Sequence, residues 1–480
     1  MKKPKILIRT DGSSQIGLGH LVRCSALALI LKHEFEIIFY CREIPDYILS
    51  ELEVSGFGCR KIENECEFLG QLTDNIVAVL DGYHFDIEYQ KKVKATGAKL
   101  VCIDDMHDKE FVADMIINHA PGITPQDYRA QPYTQFALGL EYALLRPYFL
   151  EQAKKQRTIE KIETVLICFG GSDYKNLIQR TLQVVLEFPQ FKTIIVVTGS
   201  SYKSTVSFKK LITSDTRIDY RHALNEQQIL ETMLMSDLAI VPASGILFEV
   251  LAVGCIAISG SYIDNQNLIY ENFKNAGYIK DAGNFLSQKL YKAISESIGG
   301  CINKVKLIDG LTAVRVSKLF DQLQKELLIN FRKATASDLD ITFAWATNPD
   351  IRRYSFQQHH ITKPEHDIWF LKKLGDTNCH YSIVEYNDKP VGSIRFDLKE
   401  GEAIISYLLD PMYHGRGFGQ LILRKGIEWL LMVNKPDFTP IHFLCGEVMK
   451  TNIPSVKAFE RLGFVKKEQK ENYKFEKWVS

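Results

Sequence analysis

Leu7 to Leu31 reads LIRTDGSSQIGLGHLVRCSALALIL. An apolar strand enters a loop of Asp, Gly and Ser. The loop enters an apolar helix that starts near His20. This strand–loop–helix unit opens a parallel α/β sheet, and the unpaired N–H groups at such a helix start carry partial positive charge suited to phosphate. GLGH is not GxGxxG, and the acidic ribose anchor expected about 20 residues on is absent, which argues against NAD. Gly17 and Gly19 leave the loop open to a ligand. A helix N-terminus disfavours imidazolium, so the ring is expected to be neutral and able to accept a proton, as a general base must. The plainer reading is a polar residue that only satisfies the helix end.

Outward from this stretch, short apolar runs alternate with longer amphipathic ones. KILIR, FEIIFYC, NIVAVLD, KLVCIDD and DMIINHA predict strands up to about Arg157. LEQAKKQRTIEK, Leu150 to Lys161, is polar and is read as a link. ETVLICFGG, KTIIVVTG, TRIDYRH, DLAIVPASG and CIAISGS then predict a second set. Alternation of this kind is the pattern of parallel sheets flanked by helices. The expected fold is therefore α/β, with two Rossmann-like domains of glycosyltransferase-B type, 1–157 and 158–325. A different, α+β domain follows at 328–480. A ligand is expected in the cleft between the first two, at the carboxyl ends of their strands.

The whole chain agrees with this division. Its 480 residues exceed one compact core. Apolar residues are 46%, charged residues 24% and the formal charge is +1, so neither a nucleic-acid partner nor an anionic membrane is expected. The ten cysteines include no CxxC pair, and buried reduced thiols in a cytoplasmic protein are the expectation. No apolar run approaches the length of a membrane span. Asp104 and Asp105 are adjacent, and His119 and His359-His360 lack partners at ligand spacing, so no metal is expected.

In the second block, Phe169 is followed by Gly170, Gly171, Ser172 and Asp173, which suit a backbone cradle for phosphate. A simple turn explains them equally well. SGILFEVLAVG places Ser244 and Gly245 at a helix start and Glu249 on its otherwise apolar body. A carboxylate there needs a partner, and ribose hydroxyls suit it. Asn265 and Gln266 follow in a loop and can reach sugar or phosphate; ordinary loop polarity explains them as well.

RTDGSSQIGLGHLVRC resembles the opening of the UDP-sugar hydrolase family of pseudaminic acid biosynthesis. The resemblance continues through VLDGYH, CIDDMHD, LGLEYALLRPYF, FGGSDYKN, SGILFEVLAVG, DNQN and IDGLTAVRV, over roughly residues 1–325. It implies hydrolysis of UDP-2,4-diacetamido-2,4,6-trideoxy-β-L-altropyranose to UDP and free sugar. His20 would activate the water, with Asp11 and Tyr83 near the sugar. Three other readings stay open: a hydrolysing 2-epimerase of the legionaminic or sialic acid type, a sugar transferase, and a C-terminal module that binds without turnover.

The C-terminal segment has its own signature. Between ISYLLD and LILRKGIEWLL lies YHGRGFGQ, and NIPSVKAFERLGFV follows. Alternate glycines expose N–H groups to an anion. These runs resemble the GNAT N-acetyltransferase superfamily, and AWATNPDIRRYSF and HDIWFLKKL resemble the acetyltransferase of the same pathway, which acetylates a 4-amino group on a UDP-linked sugar. The resemblance implies acetyl-CoA as cosubstrate, bound by Leu408, His414, Gly415, Arg416, Gly417, Phe418, Gly419 and Asn452. Glu447 and Glu402 are the candidate bases. Phe459 stands where the superfamily often carries a proton-donating tyrosine. The expected partners are thus a UDP-linked amino sugar and acetyl-CoA, and a homodimer is compatible with the sequence.

Overall fold

The computed structural model describes residues 3–13, 17–170, 173, 175–200, 202–299, 306–433 and 441–479. The chain divides into two compact units, Met1–Asp321 and Gln322–Ser480.

The first unit opens with β1 (Lys5–Thr10), α1 (Gly19–Leu31), β2 (Glu36–Cys41), β3 (Gly58–Lys61), β4 (Ile76–Asp81), β5 (Lys99–Ile103), β6 (Met115–Asn118) and β7 (Gln135–Leu138). The strands form one parallel sheet in the order β3-β2-β1-β4-β5-β6-β7. β4, IVAVLD, is buried at every position, as a parallel strand covered on both faces must be.

The chain continues through α2 (Pro147–Ala153), β8 (Thr164–Cys168), α3 (Leu177–Leu186), β9 (Thr193–Thr198), β10 (Ile218–His222), β11 (Leu238–Pro242), α4 (Gly245–Val253), β12 (Ile256–Gly260), β13 (Lys280–Gly283) and α5 (Thr312–Leu328). These strands form a second parallel sheet, β10-β9-β8-β11-β12-β13. In each sheet the strand order reverses once, between β1 and β4 and between β8 and β11. Open parallel sheets bind ligands beyond the strand ends at that crevice.

The expected link, Leu150–Lys161, begins inside α2. Leu150 and Ala153, together with Phe149, are buried in one core with Leu166 of β8 and Phe248 and Val250 of α4. The polar spacing hid an apolar face three to four residues apart. At the far end of this unit, Phe320 of α5 packs edge-on against Phe35, with ring centroids 6.2 Å apart.

The second unit contains β14 (Ile329–Lys333), β15 (Cys379–Tyr386), β16 (Lys389–Lys399), β17 (Glu402–Leu409), α6 (Phe418–Val433), β18 (Phe443–Met449), α7 (Ile453–Arg461), β19 (Val465–Glu468) and β20 (Asn472–Trp478). The sheet order is β14-β15-β16-β17-β18-β20-β19. All neighbours are antiparallel except β17 and β18. That parallel pair is joined only over Glu402–Ile405 and Phe443–Gly446. Ser406–Leu409 of β17 and Glu447–Met449 of β18 lie beyond it, so the sheet opens between them. Among the described residues no helix is long and apolar enough to cross a membrane.

Candidate functional site

A cleft of about 760 Å³ lies at the carboxyl ends of the two parallel sheets of the first unit. This is a usual size for a small-molecule site. Gly17, Gly19, His20 and Tyr83 line it from the first sheet; Gly170, Ser244, Gly245, Glu249, Asn265 and Gln266 line it from the second. Gly17 and Gly170 have φ of +90° and +81°, which a side chain disfavours, and a Cβ on either would meet nothing. Their backbone conformation, not crowding, calls for glycine.

His20 is the second residue of α1 and is buried. Its Nδ1 lies 2.6 Å from Oδ1 of Asp81, the last residue of β4. Burial alone would raise the Asp81 carboxyl, but the Arg23 guanidinium and the His20 ring hold it below the usual carboxylate range. An ionised carboxylate at that distance accepts a hydrogen bond from Nδ1–H. The ring is therefore oriented by Asp81, not by the helix end alone, and Nε2 is the nitrogen left for the cleft. Arg23 Nε donates to Asp81 Oδ2 at 2.7 Å and its Nη1 to Asp105 Oδ2 at 2.9 Å. Tyr83 donates its hydroxyl to the same Asp105 oxygen at 3.3 Å and sets its ring edge-on to His20, 4.8 Å between centroids. Burial, and then the Asp105 charge, push the Tyr83 phenol well up. Asp104 turns elsewhere, accepting from the His107 amide and the Tyr128 hydroxyl.

The sequence named His20 but gave Asp81, Arg23 and Asp105 no role. Arg23 stands one helical turn from His20 on α1, and that spacing was the available signal.

Two expected site residues are corrected. Asp11 does not line the cleft: Oδ2 pairs with Arg9 at 2.8 Å, and Oδ1 accepts from the Arg42 and Glu43 amides at 2.6 and 3.1 Å. It fastens the loop after β2 to the end of β1. Asp173 caps α3 instead of cradling phosphate; its oxygens accept from the Leu177 and Ile178 amides at 2.8 and 2.9 Å. Burial lifts its carboxyl to about 6. Gly171 and Ser172 lie outside the described residues.

Across the cleft, Glu249 is buried on α4 and meets Arg146, whose Nη2 donates to Oε1 at 2.6 Å. Burial raises the Glu249 carboxyl despite this pairing. Arg146 also pairs with Glu226 at 3.3 Å. The partner that a buried carboxylate requires is thus already present as protein, and Glu249 still lines the cleft. Ser244 precedes α4 without capping it through its side chain, and a Cβ on Gly245 would meet nothing, so the first N–H groups of the helix are open. Gln266 accepts from the Tyr262 amide at 3.2 Å, and Asn265 Oδ1 is buried without a partner among the described residues. Among the described residues no three His, Cys, Asp or Glu side chains converge on one metal position.

In the second unit, β17 leads through Pro411–Tyr413 to the start of α6. Gly415 and Gly417 have φ of +74° and +83°, again with open space at Cβ. His414 places Nε2 3.0 Å from the Leu409 carbonyl, and the Arg416 guanidinium lies 6.0 Å from the Tyr413 ring. Leu408 lies on the part of β17 beyond its pairing with β18, and Gly419 is the second residue of α6. Phe418 offers only its backbone, because its ring is 2% exposed and packs on Tyr386 and Tyr413. Asn452 caps α7, accepting from the Ser455 amide at 3.2 Å.

Of the base candidates, Glu402 is corrected: it opens β17 at the end paired with β18, away from the gap. Glu447 is the first β18 residue beyond the pairing; it is exposed and accepts from Asn472 Nδ2 at 3.2 Å. Phe459 is 1% exposed and stacked on Phe475 at 5.0 Å. One turn earlier on α7, the Ser455 hydroxyl accepts from the Tyr407 hydroxyl at 2.9 Å.

Comparison with known proteins agrees with this division. The acetyltransferase (GNAT) domain family matches residues 329–465. An uncharacterized protein of Methanocaldococcus jannaschii is 26% identical over 98% of both chains. The UDP-2,4-diacetamido-2,4,6-trideoxy-β-L-altropyranose hydrolase of Campylobacter jejuni is 28% identical over 57% of this chain and 97% of its own. The spore coat polysaccharide biosynthesis protein SpsG of Bacillus subtilis is 27% identical over 58% of this chain and 83% of its own. The chain thus joins a region that resembles the UDP-sugar hydrolase and SpsG proteins to a C-terminal acetyltransferase domain of the GNAT family.

Proposed function

We propose that the chain is a bifunctional enzyme of UDP-amino-sugar metabolism. Residues 1–157 and 158–325 are read as the two halves of a glycosyltransferase-B-type pair that hydrolyses UDP-2,4-diacetamido-2,4,6-trideoxy-β-L-altropyranose. The observation that carries this is the Asp81-oriented His20 ring, which lines the same cleft as the open helix start at Gly245. His20 Nε2 takes a proton from water as its oxygen attacks the anomeric carbon. The bond from that carbon to phosphate breaks, and UDP leaves with the electron pair. Ser244, Gly245 and Gly170 hold the diphosphate through backbone N–H groups. Glu249 takes the ribose hydroxyls on the oxygen that Arg146 leaves free.

Residues 328–480 transfer acetyl from acetyl-CoA to the 4-amino group of UDP-4-amino-4,6-dideoxy-β-L-AltNAc. The amine attacks the thioester carbonyl and CoA leaves as the thiolate. The glycine-bearing turn 415–417 holds the CoA pyrophosphate, and Glu447 is the base that remains. The second reaction makes the substrate of the first. A soluble, cytoplasmic location suits both cosubstrates.

A mass-resolved assay of the purified chain with the 4-amino substrate tests both activities. Acetyl-CoA should be required for UDP and the diacetamido sugar to appear. His20→Ala should accumulate acetylated UDP-sugar without UDP. UDP release at wild-type rate in that variant would remove His20 from the chemistry.

A further inference from the structure

His119 follows β6 at the carboxyl edge of the first sheet and lines the same cleft. It is 7% exposed. Its Nδ1 accepts from the Leu144 amide at 3.3 Å. A ring nitrogen that accepts a backbone N–H keeps its lone pair there, so the proton of the neutral ring sits on Nε2. Burial, then the Arg23 charge, lower this imidazole to about 4 against the opposing pull of Asp105 and Asp81, so the ring is neutral in ordinary buffers. Among the described residues Nε2 has no hydrogen-bond partner.

The two cleft histidines therefore carry opposite tautomers. His20 donates its Nδ1–H to Asp81 in a hydrogen bond, which leaves the acceptor on Nε2. His119 accepts a hydrogen bond from the Leu144 N–H on Nδ1, which leaves its donor on Nε2. The His119 ring also packs on Phe248 of α4, 4.2 Å between centroids. Phe248 is the fourth residue of that helix, and Ser244 and Gly245 at its start line the same cleft as His119, where N–H groups favour an anion.

We infer that His119 Nε2–H is a fixed hydrogen-bond donor to an oxygen of the diphosphate in the bound nucleotide sugar. The inference rests on the hydrolase reading above and adds a second residue to it. His20 accepts a proton from the incoming water, and His119 steadies the charge that collects on the departing phosphate. Neither role can be exchanged while Asp81 and Leu144 hold the other ring nitrogens.

Calorimetry on the full chain tests this with UDP and uridine as probes. His119→Leu should weaken UDP roughly 10- to 100-fold and leave uridine unchanged, because only UDP carries the acceptor. His119→Gln, whose amide nitrogen reaches about where Nε2 lies, should regain most of that loss. With the nucleotide sugar, His119→Leu should lower kcat by about 100-fold or more while thermal unfolding stays near wild type. Equal loss for UDP and uridine, or no loss for UDP, overturns the inference. UDP-selective loss in His119→Leu, together with a wild-type chain that releases no UDP from the sugar, would keep it and overturn the hydrolase reading instead.

Discussion

Nδ1 of His20 and Oδ1 of Asp81 lie 2.6 Å apart, although 61 positions separate them in the chain. The carboxylate holds the ring in one tautomer. Asp81→Asn keeps the shape but presents an amide that tolerates the wrong tautomer. UDP release by this variant should fall by about 10³-fold or more, with KM little changed. A loss below tenfold would mean that another contact orients the ring.

Arg146 and Glu249 form a pair across the second sheet's side of the cleft. Removing the cation leaves a nearly buried carboxylate alone. Arg146→Met should destabilise the chain by about 2 kcal/mol, and the double variant Arg146→Met, Glu249→Gln should recover most of that. Urea unfolding of the single and double variants measures the coupling. Additive losses would show that the pair is not coupled.

Asp11 serves the fold. Asp11→Ala strands Arg9 beside Glu65 alone and frees two amides, with an expected cost of about 2 kcal/mol. Its effect on turnover, measured below the unfolding range, should stay within about tenfold. A loss comparable to that of His20→Ala would return Asp11 to the chemistry.

Acid stability should reflect two opposed groups. His119 titrates near 4 when folded and near 6.5 when unfolded, so between those values the unfolded chain binds more protons. Its contribution is complete above pH 6.5 and is lost as pH falls towards 4. Asp173 titrates near 6 when folded, above its ordinary 3.8, so its contribution is present at low pH and lost as pH rises through 6. The two slopes partly cancel. Asp173→Asn should make stability rise more steeply from pH 4 to 6, as read by urea midpoints at pH 4, 5 and 6. An unchanged slope would show that Asp173 does not titrate there.

Gly446 lets α7 approach β18, since a Cβ on it would lie 2.5 Å from the Phe459 ring. Gly446→Ala should cost about 1–3 kcal/mol in unfolding experiments. Phe459→Tyr would push a hydroxyl into the same packed contact, so acetyl transfer should not rise. A several-fold gain in kcat would show that the ring position does reach the thiolate.

Much of the fold was legible because it is local. KILIR, NIVAVLD and KTIIVVTG are long apolar runs, and each became a strand. β3, GCRK, and β13, KDAG, were missed because each is short and lacks an apolar run, so only their neighbours make them strands. The site was legible in part. Gly17, Gly19, His20, Tyr83, Gly245 and Glu249 meet in one cleft because each lies in a turn after a strand or on the helix that follows it, and the pattern reveals those elements. Asp11 and Asp173 look like ligand groups, but their oxygens are consumed by nearby amides, and that choice is made by loop geometry. Asp81, Arg146 and His119 depend on partners distant in sequence, and no local spacing announces them.

The contact between Phe35 and Phe320 has a consequence for synthesis. Phe35 is made early, and its cover arrives about 285 residues later, roughly 15 to 60 s at ordinary translation speeds. Until α5 leaves the ribosome, Phe35 lacks the ring that packs on it in the finished chain. Helper proteins that shield such a ring would matter most in that interval.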